Sequence, residues 1–190
     1  MVSNSLDKCF WAVGDPLMMK YHDEEWGLPT HDEHILFEFL VLEGFQAGLS
    51  WRTILYKREA FRQAFLGYDP KKVARFTAQD RAKMLGNANL VRNKLKVEAA
   101  ITNAKRFLEV QQEFGSFDKF IWQFTSYQTL RNPDGITRET IPAQSKESQQ
   151  MSRELVKRGF TFVGPTICYA YMQTIGMVND HVDGCFRAPK

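Results

Sequence analysis

The sequence predicts an all-α protein, and three observations lead to this class. Segments with apolar residues at helical spacing recur along the chain, and side chains that favour helix N-caps precede most of them. Glycines follow several of these segments, where helices commonly end. Alternation of apolar and polar residues long enough to predict a strand is lacking throughout the 190 residues.

Five of the predicted helices follow a capping residue. Their N-caps, in chain order, are Asp15, Thr30, Ser50, Thr77 and Ser116. Pro16 takes the first helical position after Asp15, and Gly27 ends that helix. Thr30 and Glu33 form a capping box, and the segment 35–42 is apolar on nearly every side, which predicts a buried helix.

Three further helices follow from periodicity and spacing. They span about 92–113, 146–158 and 165–175. Residues 125–145 are polar and contain the turn sequence Asn-Pro-Asp-Gly, which predicts a long loop. Residues 159–164 predict a tight connection between the last two helices.

The composition excludes some classes of protein and leaves others open. Hydrophobic residues at 44% and charged residues at 25% exclude a disordered chain and suit one compact domain. The 13% aromatic content favours a pocket or a stacking surface, although a bulky core gives the same count. A net charge of +3 permits a nucleic-acid partner without requiring one.

The sequence predicts neither a membrane span nor an export signal. Glu38 and Glu43 interrupt the most apolar stretch, so no run approaches the roughly 18 residues that a membrane helix needs. The first eight residues lack a basic region followed by an apolar one. We therefore expect a cytoplasmic protein.

Two cysteines and two histidines near the termini form a complete ligand set for a tetrahedral zinc ion. They are Cys9, His22, His181 and Cys185. The i,i+4 spacing of the last two would place them on one face of a helix, but four unrelated residues remain an alternative. Cys168 lies in an apolar helix and is predicted to be core, and solvated roles are predicted for His31 and His34.

Glu43 is the most unusual charged residue because it shares a predicted helix face with apolar side chains. It also lies near the helix C-terminus, where the helix dipole disfavours a negative charge. Pairing with a buried arginine, or exposure at the helix end, would explain it without any function. Alternatively, Trp11 and Trp51 supply flat faces and Tyr21 a hydroxyl, and an acidic group between aromatic walls suits a planar cationic ligand.

The connection Gly-Phe-Thr-Phe-Val-Gly at 159–164 can aim unpaired backbone N–H groups of the following helix at a phosphate. Lys157 and Arg158 could assist electrostatically. Many helical hairpins carry glycines, however, so a purely structural role also fits this pattern.

Together these motifs resemble the 3-methyladenine DNA glycosylase I family, in the helix-hairpin-helix superfamily of base-excision repair enzymes. The resemblance runs from Cys9 to Cys185 and rests on four motifs in order. They are Tyr-His-Asp-Glu-Glu-Trp-Gly at 21–27, Leu-Glu-Gly-Phe-Gln-Ala-Gly-Leu-Ser-Trp at 42–51, Lys-Arg-Gly-Phe-Thr-Phe-Val-Gly-Pro-Thr at 157–166, and Val-Asn-Asp-His-Val at 178–182.

The resemblance implies a helix-hairpin-helix glycosylase fold. We expect a single domain over residues 1–190 with two packed helical lobes, a pocket between them and the hairpin at about 146–176. The resemblance also implies one structural zinc ion per chain on the Cys₂His₂ set. Glu43 and Tyr21 are then the catalytic residues that hydrogen-bond an extruded base, and Trp11 and Trp51 stack around it.

The resemblance further implies double-stranded DNA containing 3-methyladenine as substrate, and free 3-methyladenine with an abasic site as products. Gly48 and Leu49 would fill the gap in the duplex, and Gly159, Gly164 and Thr166 would contact backbone phosphate. Phe45 departs from a polar residue found in some members. We expect the protein to act as a monomer.

The resemblance implies hydrolysis of a labile cationic substrate at one position and the absence of strand cleavage at another. Wider relatives carry Asp where this chain has Asn179, which removes an anion that could stabilise the sugar or activate water; neighbouring Asp180 points differently. Relatives that also cleave the strand use a Lys where Thr166 stands.

Two other functions remain open on the sequence. One is a non-catalytic, zinc-stapled helical module that binds DNA or RNA. The other is a helical enzyme that acts on a small cationic aromatic ligand without nucleic acid.

Overall fold

The computed structural model describes residues 8–188, and this part of the chain is mostly helical, as the sequence predicts. Its nine α-helices are α1 Pro16–Glu24, α2 Glu33–Gln46, α3 Trp51–Ala64, α4 Pro70–Val73, α5 Ala78–Gly86, α6 Lys94–Phe114, α7 Phe117–Trp122, α8 Lys146–Lys157 and α9 Pro165–Thr174. Two-residue strands β1 (Leu130–Arg131) and β2 (Val178–Asn179) and two 3₁₀-helices, Leu66–Tyr68 and Gln123–Thr125, complete the regular structure of the described residues. Most of the segment used to predict the absence of an export signal lies outside the described residues.

Most predicted helix starts are confirmed. Asp15, Ser50, Thr77 and Ser116 each cap the helix that follows them. The predicted capping box of Thr30 with Glu33 is wrong. Asp32 is the N-cap of α2, and its carboxylate accepts hydrogen bonds from the backbone N–H groups of His34 and Ile35. The Glu33 carboxylate instead accepts from the backbone N–H groups of Phe117 and Asp118, at the start of α7.

Helix α2 runs through the core. Its residues from Leu36 to Phe45 are all buried, because α6, α9, α3 and α7 pack around it. This burial confirms the interpretation of the apolar segment 35–42, apart from Ile35 at the solvent edge. A polar side chain on α2 between Leu36 and Phe45 therefore lies in the interior of the protein.

Helices α8 and α9 pack against each other and are joined by the connection 158–164. Gly159 adopts a left-handed conformation, with φ of 84°, and Phe162 adopts the same region with φ of 54°. The Asn103 side chain on α6 holds the connection by accepting from the backbone N–H of Thr161 and donating to its carbonyl, both at 2.9 Å. The loop is thus fixed against the core rather than free at the surface.

Some details differ from the sequence prediction. The polar segment 125–145 contains β1, which pairs in parallel with β2 through Leu130 and Val178. The short helix α4 is also absent from the prediction. Leu95 and Val156, which fit the apolar periodicity of α6 and α8, are exposed. None of the helices in residues 8–188 has both the length and the apolar character to span a membrane.

Candidate active site

A pocket of about 230 Å³ opens between α1, α2, α3 and α9. Its walls are mostly apolar and aromatic, with a few polar groups among them. The residues that line it are Trp11, Met18, Tyr21, Trp26, Glu43, Gln46, Trp51, Ile141, Ala170, Gln173 and Thr174. All four residues that the sequence predicts for base binding, Trp11, Tyr21, Glu43 and Trp51, are therefore brought together here.

Glu43 is the charged residue in this wall. Its side chain is 2% exposed, and its Oε1 accepts a hydrogen bond from the Thr174 hydroxyl at 2.8 Å. Its other oxygen, Oε2, is buried and has no hydrogen-bond partner among the described residues. Burial raises the pKa of Glu43 to about 8, since no cation compensates the lost hydration, although the bond from Thr174 acts in the opposite direction.

The aromatic side chains form a continuous wall beside Glu43. The ring centroid of Tyr21 lies 5.1 Å from that of Trp51 and 6.3 Å from that of Trp11. The indole N–H of Trp51 is buried and has no acceptor within the described part of the chain. The pocket thus combines flat faces with an unpaired acceptor and an unpaired donor, which suits a planar ligand with hydrogen-bonding edges.

Sequence reasoning missed several lining residues. Trp26 lies within the 21–27 motif, but helical spacing does not predict that it lines the pocket, because it follows the end of α1. Gln46 lies almost one turn beyond Glu43, so helical periodicity could have found it. Gln173 and Thr174 come from the end of α9, more than 120 residues away in sequence, and no local signal connects them to α2.

A second cleft of about 370 Å³ adjoins the pocket and shares Glu43, Gln46 and Ala170 with it. Gly48, Leu49 and Thr166, three of the residues predicted to contact DNA, line this cleft. Gly164 is the N-cap of α9 and Pro165 its first residue, so the cap provides no side-chain bond to the first-turn N–H groups. Gly159 lies at the other end of the connection and does not line the cleft.

The tip between α2 and α3 is held from beneath by a lysine. Lys96 is 7% exposed, and its Nζ donates to the carbonyl oxygens of Phe45 at 2.8 Å and Ala47 at 2.5 Å. These are carbonyls that the end of α2 leaves free. Gly48 has a φ of 74° and Leu49 is 39% exposed, so the tip presents an apolar side chain on a rigid turn.

Behind the aromatic wall, the four predicted metal ligands are buried and converge. The ligand atoms of Cys9, His22, His181 and Cys185 all lie within 4.8 Å of one another. His22 Nε2 lies 3.2 Å from His181 Nδ1 and 3.4 Å from Cys185 Sγ, and Cys9 Sγ lies 3.5 Å from His181 Nδ1. The i,i+4 helix prediction is wrong, because the segment from His181 to Cys185 is a turn.

These separations fit a zinc ion. Bonds of about 2.0–2.1 Å to nitrogen and 2.3 Å to sulfur give tetrahedral edges of about 3.3 Å between nitrogens and 3.5 Å between nitrogen and sulfur. The second nitrogen of each ring is also engaged, His22 Nδ1 by the Asp23 carboxylate at 2.8 Å and His181 Nε2 by the Trp26 carbonyl at 3.1 Å. Such partners commonly orient histidine ligands.

The electrostatics of this cluster also suit a cation. Burial lowers the pKa of His181 to about 4, so the ring is neutral at pH 7, the form in which histidine binds metals. Burial raises the pKa of the Cys9 thiol to about 12, so a thiolate here requires a positive charge beside it. The residues present therefore fit the group that the resemblance implies.

Glycine is required where the cluster meets α1. Gly27 has a φ of 75°, and a Cβ atom there would lie 2.9 Å from His181 Nε2. Trp26 beside it has its ring 4.6 Å from that of His181, measured between centroids. The Trp-Gly pair of the 21–27 motif thus joins the pocket wall to the Cys/His cluster.

The remaining predicted positions have structural contacts. Asp180 is buried, and its Oδ2 accepts from Tyr169 at 2.7 Å and from Gln173 at 2.8 Å. The Asn179 amide bonds the backbone of His181 and Arg187. Cys168 is buried in the core, as predicted.

His34 is exposed, as predicted. His31 is also exposed; it lies before α2 and bonds the Asp118 carboxylate at 2.7 Å.

Comparisons with known proteins agree with this geometry. The methyladenine glycosylase family profile matches residues 11–188. The DNA-3-methyladenine glycosylase 1 of Escherichia coli K12 is 44% identical over 184 residues, which cover 97% of this chain and 98% of that protein.

Two solved structures share the fold. A crystal structure of 3-methyladenine DNA glycosylase I has a TM-score of 0.92 at 43% identity and covers 96% of this chain and 100% of its own. A variant of 3-methyladenine DNA glycosylase I in complex with 3-methyladenine has the same TM-score at 34% identity, over 97% of this chain and 98% of its own.

The helical fold and the aromatic pocket with its buried carboxylate define a helical protein with a pocket that suits a planar ligand. The chain belongs to the methyladenine glycosylase family.

Proposed function

We propose that this protein is a DNA-3-methyladenine glycosylase of base-excision repair. The observation that carries the proposal is the buried Glu43 carboxylate, which lies in an aromatic pocket and whose Oε2 has no hydrogen-bond partner in residues 8–188. The relative from Escherichia coli bears this activity in its name, and a solved relative binds 3-methyladenine. In the reaction, water adds to the sugar C1′ and its surplus proton passes to solvent, while the bond from C1′ to the base breaks and the base departs as a neutral molecule with the bonding electron pair.

The chemistry of the lesion explains how so few groups could suffice. Methylation at N3 makes adenine cationic and weakens its bond to the sugar, so the leaving group needs little further activation. Glu43 as a carboxylate would accept a hydrogen bond from the base and offset its positive charge, more strongly in a dry pocket than in water. Unmodified adenine is neutral and would gain less, which gives the selectivity.

The base must leave the duplex before it reaches Glu43. Flipping costs a few kcal/mol and is least costly for damaged bases. We propose that Leu49, on the turn with Gly48, fills the space that the base vacates. The helix-hairpin-helix element, α8 to α9, would bind backbone phosphate through the N-terminus of α9, with Gly164 and Thr166 at the contact and Gly159 shaping the turn.

We also propose that Cys9, His22, His181 and Cys185 hold one zinc ion. With four protein ligands the ion would have no open position, so it supplies structural cross-linking rather than Lewis-acid chemistry. The site joins the segment before α1 to the segment after β2, and Trp26 connects it to the pocket. Metal analysis of the purified protein should give about one zinc per chain, and Cys185→Ser should lower the melting temperature more than it weakens base binding. Well-folded protein without metal would refute the zinc site.

We propose that the enzyme hydrolyses the glycosidic bond without cleaving the strand. Thr166 occupies the position of the lyase lysine, and Lys96 is engaged with two backbone carbonyls beneath the tip. Borohydride should therefore trap no covalent complex between the protein and DNA, whereas a trapped imine would contradict this assignment. We further propose that the protein acts in the cytoplasm. We also propose that the monomer is the active form, because one chain supplies every residue named.

The central experiment incubates methylated duplex DNA with the protein and separates the released bases by chromatography. Wild type should release 3-methyladenine, and Glu43→Gln should lower the rate by about 100-fold while duplex affinity survives. Glu59→Gln is the matched control, since Glu59 is an exposed glutamate on α3 away from the pocket. Equal rates in all three proteins, or no release by wild type, would refute the proposal and favour a binding module.

A further inference from the structure

The Thr174 hydroxyl lies between the two residues predicted to be catalytic. It donates to Glu43 Oε1 at 2.8 Å, and the Tyr21 hydroxyl donates to it at 3.1 Å. All three side chains are buried, with exposures of 2–3%. Thr174 comes from the last turn of α9, whereas Glu43 and Tyr21 come from α2 and α1.

Above the pKa of about 8 that burial gives Glu43, where its carboxylate is ionised, the direction of these bonds follows from proton counting. An ionised carboxylate can only accept, so the single hydroxyl proton of Thr174 points at Glu43. The Thr174 oxygen then has only lone pairs left, so the proton between it and Tyr21 must belong to Tyr21. Both hydroxyl protons are therefore committed within the protein and neither is free for a ligand.

We propose that Thr174 is a positioning residue that turns this wall of the pocket into a surface of acceptors. It holds Glu43 through Oε1, so that Oε2 is left for the ligand. It also accepts the hydrogen bond of the Tyr21 hydroxyl, so that the Tyr21 oxygen presents lone pairs to the pocket. Such a wall selects a purine edge that carries N–H donors and disfavours an edge that carries a carbonyl oxygen. This inference rests on the proposed function and adds a specificity determinant to it.

The relevant ligands differ in this respect. Adenine carries an exocyclic amino group where guanine carries a carbonyl oxygen. Without Thr174, the Tyr21 proton would be free to bond a carbonyl, and the Glu43 carboxylate would lose its fixed orientation. The loss should therefore weaken binding of 3-methyladenine and reduce the preference for it over 3-methylguanine.

The test measures binding of the two free bases by quenching of tryptophan fluorescence, because Trp11, Trp26 and Trp51 line the pocket. It is done at pH 9, above the pKa of about 8 that burial gives Glu43, so that the carboxylate is ionised. Thr174→Val should weaken 3-methyladenine binding about tenfold. Its ratio of affinities for the two bases should fall by at least threefold, and Thr174→Ser should restore both values to within about twofold of wild type.

Thr125→Val is the matched control. Thr125 is also buried and donates to a backbone carbonyl, that of Trp122, outside the pocket. Its substitution should change neither affinity. Thr174→Ala removes the same hydroxyl without placing a methyl group against Glu43, and it replaces the valine variant if thermal melting finds that variant unfolded.

The outcomes separate the two proposals. Wild type that binds neither base overturns the proposed function and this inference with it. Wild type that binds 3-methyladenine, together with a valine variant of unchanged affinity and ratio, overturns the role of Thr174 alone. A serine variant as weak as the valine variant also overturns it, because the loss would then come from packing rather than from the hydroxyl.

Discussion

Two buried glutamates on the same helix have opposite surroundings. Glu38 is 4% exposed, and its Oε1 accepts from Arg58 Nε at 2.6 Å. Glu43 is 2% exposed, and of the residues that the structure describes it bonds only Thr174, through a neutral hydroxyl. Five residues along α2 thus separate a carboxylate that is neutralised inside the protein from one that is left without a cation, and the difference indicates which of them awaits a ligand.

Arg58 explains what the first carboxylate does. It bonds Glu38 on α2 and Glu25 after α1 while it lies on α3, and its guanidinium is 5.1 Å from the centroid of the Phe39 ring. The Phe39 ring is in turn 6.4 Å from that of Tyr21. The ion pair therefore holds together α1, α2 and α3, the helices that also line the pocket. The buried Glu43 has no such partner, so its charge lowers the stability of the fold while it serves binding.

The largest effect is expected from breaking the Glu38 ion pair. Arg58→Met should lower the free energy of unfolding by about 3–5 kcal/mol, because it leaves a buried carboxylate without compensation. Chemical denaturation at pH 7 measures this. The double variant Arg58→Met with Glu38→Gln should recover much of the loss, since the uncompensated charge is then gone. A loss below about 1 kcal/mol for the single variant would show that the pair is not a structural element.

Glu43 should behave in the opposite way. Its pKa is raised from about 4.5 in the unfolded chain to about 8 when folded, so its favourable contribution to folding is complete below pH 4.5 and is lost as the pH rises to 8. Relative to wild type, Glu43→Gln should therefore gain stability across this range, by about 2–4 kcal/mol at pH 9. Denaturation curves at pH 5 and pH 9 measure the gain. A difference that does not depend on pH would contradict the raised pKa.

The same titration should govern activity. The carboxylate form of Glu43 is the one that attracts a cationic base, so kcat/KM for base excision should rise with pH and level off above about pH 8, the pKa in the free enzyme. Below that point it should fall up to tenfold per pH unit, about 1.4 kcal/mol. Glu43→Gln should have a flat profile at a low rate. A wild-type rate independent of pH between 6 and 9 would assign recognition to another group.

Much of the fold can be predicted from the sequence because the signals that begin and end helices are local. The caps at Asp15, Ser50, Thr77 and Ser116 and the buried run in α2 all follow from neighbouring residues. Thr30 failed as a cap because Asp32 lies closer to the start of the helix and offers a carboxylate. Competition between two capping residues depends on where the chain turns, which local pattern does not decide.

The site can be predicted only in part, because local sequence pattern does not determine long-range contacts. Glu43 stands out in the sequence because it interrupts an apolar face. Glu38 interrupts the same stretch, however, and the sequence does not reveal which of the two Arg58 neutralises. That partner lies 20 residues from Glu38, on another helix. Thr174, which orients Glu43, is 131 residues away and carries no local signal. Long-range packing, rather than spacing, separates the structural carboxylate from the functional one.

The smallest effect tests the exposed arm of the ion pair. Glu25 also bonds Arg58, at 2.8 Å, but its side chain is 31% exposed, so water screens the interaction. Glu25→Gln should therefore lower the free energy of unfolding by less than about 1 kcal/mol and leave base excision within about twofold of wild type. Denaturation and excision assays on the same preparation measure both. A loss of unfolding free energy as large as that of Arg58→Met would contradict this expectation. The stability would then depend on the ion pair between Glu25 and Arg58, and the buried contact of Arg58 with Glu38 would not be what distinguishes Glu38 from Glu43.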